Sequence, residues 1–142
     1  MAAVTFKVTH NDVSPKLAAL AATAKHPEKV FRAMGTTFMS ITMGNFNDVG
    51  AKFRPKTWAN KKDGTASKLQ RSGTLSRSFH LTVTDSSATV SNPTIYAAAH
   101  QFGFPERNLP ARPFFPVVDG KLTPAAEELI ARAGERALKR QL

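Results

Sequence analysis

The sequence predicts an α+β fold in which a small antiparallel sheet packs against helices. Three observations support this class. Val4, Phe6 and Val8 alternate with polar residues, which is the period of a strand with one buried face. Apolar residues recur at helical spacing in residues 30–43 and near the C-terminus, and a turn-like stretch at Asp85 separates two strand-like runs. A chain of 142 residues suffices for one core, so a single domain over residues 1–142 is expected.

Two prolines predict where the first two helices begin. Ser14 precedes Pro15, and a capping residue followed by proline is typical of a helix start. The first helix is therefore expected to begin at Pro15. Pro27 repeats this pattern, which indicates a break near Lys25 before a second helix begins.

The second helix is predicted to be long and to extend to about Asn45. Gly35 within it lowers helix propensity by about 1 kcal/mol relative to alanine, which indicates close approach of another backbone there. We interpret its large apolar residues as core packing rather than as a binding surface. They mostly recur at spacings of three and four: Phe31, Met34, Phe38, Ile41 and Met43.

The centre of the chain predicts a long basic loop. Residues 47–68 have no apolar period and contain glycine, proline and many lysines, which is typical of an exposed and mobile loop. Ser72 is a candidate cap for a short helical turn that continues through Leu75 to Phe79.

The last third of the chain predicts a hairpin and two helices. The runs 80–84 and 88–91 flank turn residues, which is the pattern of a β-hairpin. A short helix over 95–101 is expected to end at Gly103. A loop is expected from there to about Gly120, and a final helix is expected to open at Pro124. The apolar stripe of that final helix consists of Leu122, Ala126, Leu129, Ile130, Ala133 and Leu138.

Composition limits the classes of partner. Twenty Lys and Arg against ten Asp and Glu give a formal charge of +10, which favours nucleic acid or an acidic protein surface as a partner. The absence of cysteine excludes disulfides and thiolate metal sites and suits a protein that is assembled in a reducing cytoplasm. No window approaches the ~20 apolar residues of a membrane span, and the N-terminus lacks the order of a signal peptide, so no membrane partner is expected.

No motif indicates catalysis. The four histidines lack partners at metal-ligand spacing, and no serine lies in a GxSxG elbow. Glycine-rich phosphate-binding motifs do not occur either. The prediction is therefore a protein that is not an enzyme, with no catalytic residue, no metal and no cofactor.

The strongest electrostatic feature is the stretch from Lys52 to Arg77, which we call the basic segment. Its eight basic residues oppose Asp63 alone, so +7 of the chain's +10 lies there. Contact with DNA phosphates is weighed about equally with two alternatives taken together, a solvated face or a patch that matches an acidic partner. Trp58 is interpreted as a loop anchor, with stacking on a base as the alternative. The eight candidate contact residues are Lys52, Arg54, Lys56, Lys61, Lys62, Lys68, Arg71 and Arg77.

The stretch from Tyr96 to Pro113, YAAAHQFGFPERNLPARP, is rich in residues that restrict the backbone or permit close packing. Its alanines permit close packing, and Pro110 and Pro113 restrict the backbone around Arg112. The guanidinium of Arg112 suits a bidentate carboxylate contact, either across an interface or within its own fold. The residues assigned to an interface or to loop fixing are Tyr96, His100, Phe102, Arg112 and Phe114.

Three stretches in this order resemble the phage virion morphogenesis family, which includes the tail-completion proteins of P2-like phages and a morphogenesis protein of Mu-like phages. The first is GAKFRPKTW at 50–58, and the second is LQRSGTLSRSF at 69–79. The third is YAAAHQFG at 96–103 followed by LPARPF at 109–114. The resemblance covers roughly the last two thirds of the chain, while the N-terminal strand departs from it.

The resemblance implies a structural protein of the virion neck that completes the tail and joins it to the DNA-filled head. It implies partners of three kinds: copies of itself in a ring, expected to be a hexamer; adjacent neck, portal-side, tail-tube or terminator proteins; and genomic DNA in the channel. The alternatives are a tail terminator, a head-completion stopper, a sequence-independent DNA-binding module and a hydrolase that depends on His100.

Overall fold

The computed structural model describes residues 4–9, 12–13, 15–46, 51–64, 69 and 74–142. Its helices are α1 (Pro15–Ala22), α2 (Pro27–Gly44), α3 (Ala97–Phe102) and α4 (Pro124–Lys139). Its strands are β1 (Val4–Thr9), β2 (His80–Val83), β3 (Ser87–Asn92), β4 (Val117–Val118) and β5 (Lys121–Leu122). Short 3-10 turns lie at Ala51–Phe53 and Pro105–Arg107.

Three strands form an antiparallel sheet in the order β1-β3-β2. The N-terminal strand β1 therefore pairs with the second strand of the hairpin, and Val90 lies opposite both Phe6 and Leu81. Residues on one face of this sheet are buried, as the alternation in β1 predicted. The predicted class, a small antiparallel sheet packed by a long helix and a C-terminal helix, is confirmed.

The long helix α2 packs across the sheet, and Gly35 allows this contact to be close. A Cβ atom at Gly35 would lie 2.6 Å from Ala88 Cβ and 2.7 Å from Leu81 Cδ1. The close approach predicted from this glycine is therefore confirmed. Farther along α2, the rings of Phe38 and Phe6 stack with centroids 5.1 Å apart.

The C-terminal helix α4 packs along α2, and α1 lies against both helices. Ile130 of α4 and Met34 of α2 are fully buried. Two hydrogen bonds join the start of α2 to the end of α4. Gln141 Nε2 donates to the carbonyl oxygen of His26 at 2.9 Å, and Gln141 Oε1 accepts from the His26 main-chain N–H at 2.7 Å. The two helices are therefore antiparallel.

An aromatic cluster fills the core where α2 ends. The Phe114 ring lies 5.5 Å from Phe46 and 5.6 Å from Phe79 between centroids. Phe115 continues the cluster towards Phe38, at 5.4 Å. Such contacts add about 0.5–1.5 kcal/mol each beyond the burial of area. The cluster joins the sheet-packed helix to the chain that follows α3.

Most predicted boundaries are confirmed. Helices begin at Pro15, Pro27 and Pro124, and the hairpin lies within a residue or two of its predicted limits. The proposed caps Ser14 and Ser72 lie outside the described residues. The short helix was expected over 95–101 and is found at Ala97–Phe102, ended by Gly103 at φ +80°.

One element was missed. The stretch before Gly120 was interpreted as loop, but β4 and β5 form a two-stranded hairpin there. Strands of two residues are too short to show a period. The dipeptide Asp119-Gly120, which lies between Val117-Val118 and Lys121-Leu122, is a hairpin-turn signal in the sequence.

Candidate functional site

The chain from Arg112 to Pro116 passes through the interior and is held by two amide side chains. Gln101 Oε1 accepts hydrogen bonds from the main-chain N–H groups of Phe114 and Phe115, both at 3.0 Å. Asn45 Nδ2 donates to the Phe114 carbonyl oxygen at 2.8 Å. Buried main-chain groups need such partners because water cannot reach them. We call residues 112–116 the buried strap.

Trp58 attaches the basic segment to the buried strap. Its side chain is 5% exposed, and its indole nitrogen donates to the Pro113 carbonyl oxygen at 2.8 Å. The indole meets the Phe46 ring edge-on, with centroids 5.8 Å apart. Trp58 therefore lies in this chain's own core. Trp58 was interpreted as a loop anchor, and its indole has both an apolar surface and a carbonyl acceptor at this position.

Arg54 packs on the outer side of Trp58. Its guanidinium carbon lies 3.7 Å from the centroid of the Trp58 ring, a cation–π geometry. Its Nε donates to the Asn45 carbonyl oxygen at 2.7 Å. The guanidinium is thus bound to the fold on two sides, although Arg54 was predicted as a DNA or partner-ring contact.

Arg112 holds the basic segment at a second point. It is 7% exposed, and its Nε and Nη2 donate to the carbonyl oxygens of Ala59 and Asn60 at 2.9 and 3.0 Å. Its main-chain N–H donates to the His100 carbonyl oxygen at 2.7 Å. A carboxylate was expected to accept the hydrogen bonds of this guanidinium. Two consecutive main-chain carbonyls accept them instead, at a spacing that the planar guanidinium also fits. Within the described residues Arg112 fixes a loop.

The other seven predicted contact residues of the basic segment separate into three groups. Lys56, Lys61 and Lys62 are exposed on the stretch that Trp58 and Arg112 hold. Lys52 is exposed with its Nζ 5.1 Å from the Phe53 ring centroid, and Arg77 is exposed farther along the chain. Lys68 and Arg71 lie outside the described residues. The structure therefore presents three lysines on a fixed surface.

The candidate interface residues around α3 include both exposed and buried side chains. Phe102 is 71% exposed and Tyr96 is 55% exposed, whereas Phe114 is fully buried in the aromatic cluster. Ile95, which sequence reasoning did not select, is 62% exposed beside Tyr96. Single exposed apolar residues are common, but three around a six-residue helix form a patch. We call these three exposed residues, two just before α3 and one at its end, the α3 patch.

His100 lies between this patch and the buried strap. Its Nδ1 is buried and has no hydrogen-bond partner among the described residues. Burial lowers the pKa of His100 below its ordinary value near 6.5, and the Arg112 guanidinium lowers it further. The neutral imidazole is therefore favoured in the folded protein.

Two structural features bear on other kinds of site. In the part of the chain that the structure describes, no three His, Cys, Asp or Glu residues are grouped so as to hold a metal ion. Likewise, no helix of the described residues combines the length and apolar character needed to cross a membrane.

Sequence comparison identifies the family. The model of the phage virion morphogenesis family matches residues 8–139. The chain belongs to the phage virion morphogenesis family. This confirms the resemblance, and the match extends well beyond the three stretches that suggested it, into the N-terminal strand. A comparison with curated proteins and one with solved structures gave no match.

Membership in the phage virion morphogenesis family indicates a structural role in the assembly of a phage virion. The motif-like stretches that carried the resemblance now have physical roles. GAKFRPKTW contains the Trp58 anchor and Arg54, and LPARPF contains Arg112 and part of the buried strap. The two stretches bind each other through the Trp58 and Arg112 hydrogen bonds.

Proposed function

We propose that this protein is a neck subunit that completes the phage tail and joins it to the DNA-filled head by forming a ring. The observation that carries the proposal is the family match over residues 8–139. The protein acts by geometric fit to its neighbours, without catalysis and without a cofactor. Its neighbours are copies of itself and the adjacent portal-side, tail-tube or terminator proteins of the virion.

The α3 patch is the proposed contact between neighbouring copies. Interface cores are enriched in aromatic residues, and Phe102 and Tyr96 are exposed aromatic side chains next to a rigid interior. In a ring, the α3 patch of one copy contacts a different surface of the next copy. Such a head-to-tail contact repeats from copy to copy until the ring closes. Six copies are expected from the family resemblance.

The exposed lysines of the basic segment are the proposed contact with either a neighbouring ring or the DNA in the channel. Lys56, Lys61 and Lys62 lie between or beside the two points at which Trp58 and Arg112 hold the segment. A fixed surface lowers the entropy cost of binding, because the loop is ordered before the partner arrives.

Phage assembly without this protein tests the neck function. We expect filled heads and finished tails to accumulate unjoined, as counted by electron microscopy of lysates. Tails of abnormal length would instead indicate a terminator, and heads that lose their DNA would indicate a stopper. Normal joined particles would contradict all three roles.

The triple variant K56Q/K61Q/K62Q tests the lysines in the same assay. We expect a lower yield of joined particles, since removal of three charges weakens attraction to an acidic partner or to DNA. Unchanged joining and infectivity would reject a role for these three side chains.

Measurement of the assembled mass tests the ring. Light scattering after size exclusion, alone and with the neighbouring neck proteins, is expected to give about six times the mass of one chain. Phe102→Ser should lower that mass, whereas Val118→Ser, at a position that is 50% exposed on β4, should leave it unchanged. A chain that remains monomeric in both settings contradicts the ring, and strong duplex affinity of that monomer would favour the DNA-binding module.

A further inference from the structure

A second concentration of positive charge lies in a groove between α2 and α4. Four basic side chains line it, Lys29 and Arg32 from α2 and Arg136 and Arg140 from α4. All four are exposed. We call this feature the basic groove. The other described residues that line it are small or polar: Ala33, Thr36, Thr37, Ala133, Ala137 and Gln141.

The helical repeat and the antiparallel packing bring these charges together. Lys29 and Arg32 are three residues apart, and Arg136 and Arg140 are four apart, so each pair lies on one face of its helix. The two Gln141 hydrogen bonds to His26 hold the end of α4 beside the start of α2. Sequence reasoning missed the groove because its two sides are about a hundred residues apart along the chain.

The charges in the basic groove are not explained by the fold itself. In the described part of the chain, none of the four side chains makes an ion pair or a hydrogen bond. The helix dipole favours Arg136 and Arg140 at the end of α4, but it disfavours Lys29 in the first turn of α2. Arg136 and Arg140 also repel each other across one helical turn, at a cost of about 0.2–0.5 kcal/mol. An anion in the groove would relieve both costs.

The lining indicates which anion fits. Docked protein segments are usually held by large apolar or aromatic anchors, and single-stranded nucleic acid is usually held by stacking on aromatic rings. The described lining offers cations, threonine hydroxyls and alanine instead. Arg, Lys and Thr are the side chains that contact phosphate and sugar in protein–DNA complexes.

We propose that the basic groove binds the sugar–phosphate backbone of duplex DNA without reading its sequence. The guanidinium groups of Arg32, Arg136 and Arg140 pair with phosphate oxygens, and the hydroxyls of Thr36 and Thr37 donate to the same strand. This contact is separate from the basic segment and does not depend on ring formation, so it can be measured on the isolated full-length chain.

Salt-titrated fluorescence anisotropy with a short labelled duplex of mixed sequence tests the proposal. Two full-length variants remove four charges each: K29Q/R32Q/R136Q/R140Q in the groove, and K7Q/K25Q/R107Q/K121Q at exposed positions outside both the groove and the basic segment. Glutamine preserves helix propensity, and circular dichroism checks that each variant is folded.

The groove variant is expected to reduce the slope of log affinity against log salt by about 3–4, since each phosphate contact contributes about 0.9. Its affinity at low salt should fall at least about tenfold, while the control changes the slope by less than about 1. Absence of duplex binding by the unmodified protein would overturn the proposal. Equal losses in both variants, or a larger loss in the control, would also overturn it.

A single substitution and a competing polyanion distinguish binding in the basic groove from a general effect of the protein's positive charge. Thr36→Glu places a carboxylate at the exposed groove rim and should weaken duplex binding, whereas Thr36→Gln should weaken it much less. Polyglutamate of matched charge is the second probe. If it binds the groove more tightly than the duplex does at equal salt, the occupant is an acidic polypeptide and the DNA proposal is wrong.

Discussion

The indole nitrogen of Trp58 lies 2.8 Å from the carbonyl oxygen of Pro113 and donates a hydrogen bond to it. These two residues are 55 positions apart, so this bond and the Arg112 fork are what join the basic segment to the buried strap. A donor and an acceptor that are both buried depend on each other, because neither has access to water. The geometry of the exposed lysines therefore depends on the core.

Trp58→Phe should destabilise the protein by about 1–3 kcal/mol. The substitution retains an aromatic ring but leaves the buried Pro113 carbonyl oxygen without its donor. Trp58→Ala should cost more, about 3–5 kcal/mol, because a cavity is added. Urea unfolding followed by circular dichroism measures both. Equal stability of Trp58→Phe and the unmodified protein would show that the hydrogen bond is unimportant.

Gly35→Ala should destabilise the protein although alanine favours helix by about 1 kcal/mol. The added methyl would lie 2.6 Å from Ala88 Cβ and would force α2 away from the sheet, which costs typically about 1–3 kcal/mol. Gly134→Ala is the matched control, because its methyl would meet the flexible side chain of Met34 at 3.0 Å. Ala88→Gly should partly rescue Gly35→Ala in a double-mutant cycle.

The contrast between Gly35 and the basic groove shows which features a sequence reveals. Helix and strand periods depend on neighbours within a few residues, so α2, α4 and the β2–β3 hairpin were predicted from the sequence. The close approach at Gly35 was predicted as well, because a glycine within a helix is unfavourable unless another segment packs closely there. The groove and the acceptors of Arg112 arise where distant segments meet. No local pattern encodes them, and Arg112 was therefore assigned the wrong kind of acceptor.

The role of Gln101 illustrates the same limit. Its single side-chain oxygen accepts from two consecutive N–H groups of the buried strap. In the sequence it is one polar residue near the end of a short helix, where exposure is the ordinary expectation. Only the path of residues 112–116 through the interior makes this glutamine necessary.

Arg112→Lys should loosen the basic segment more than it lowers overall stability. Lysine keeps the charge but cannot reproduce the fork that reaches both Ala59 and Asn60. Loss of one hydrogen bond, about 1 kcal/mol, increases local opening about fivefold. Limited trypsin digestion should therefore cleave faster after Lys61 and Lys62. Arg107→Lys, on the exposed turn at Pro105–Arg107, should leave that rate unchanged.

His100 should make the stability depend on pH below about 6.5. Burial and Arg112 lower its pKa in the folded protein, so the unfolded chain binds the proton first as the pH falls. Stability from this group is therefore fully present above the unfolded pKa, decreases as the pH drops below it, and levels off once the folded pKa is passed. Burial of the imidazole is the larger cause of the effect, and the nearby Arg112 guanidinium is the smaller one.

A comparison with His100→Gln isolates this contribution. The free energy of unfolding of both proteins is measured by urea titration from about pH 8 to about pH 5. The other histidines and the carboxylates are the same in both, so their contributions cancel in the difference. The unmodified protein should lose stability relative to the variant as the pH falls. Parallel curves would mean that His100 takes up its proton as readily in the folded protein as in the unfolded chain.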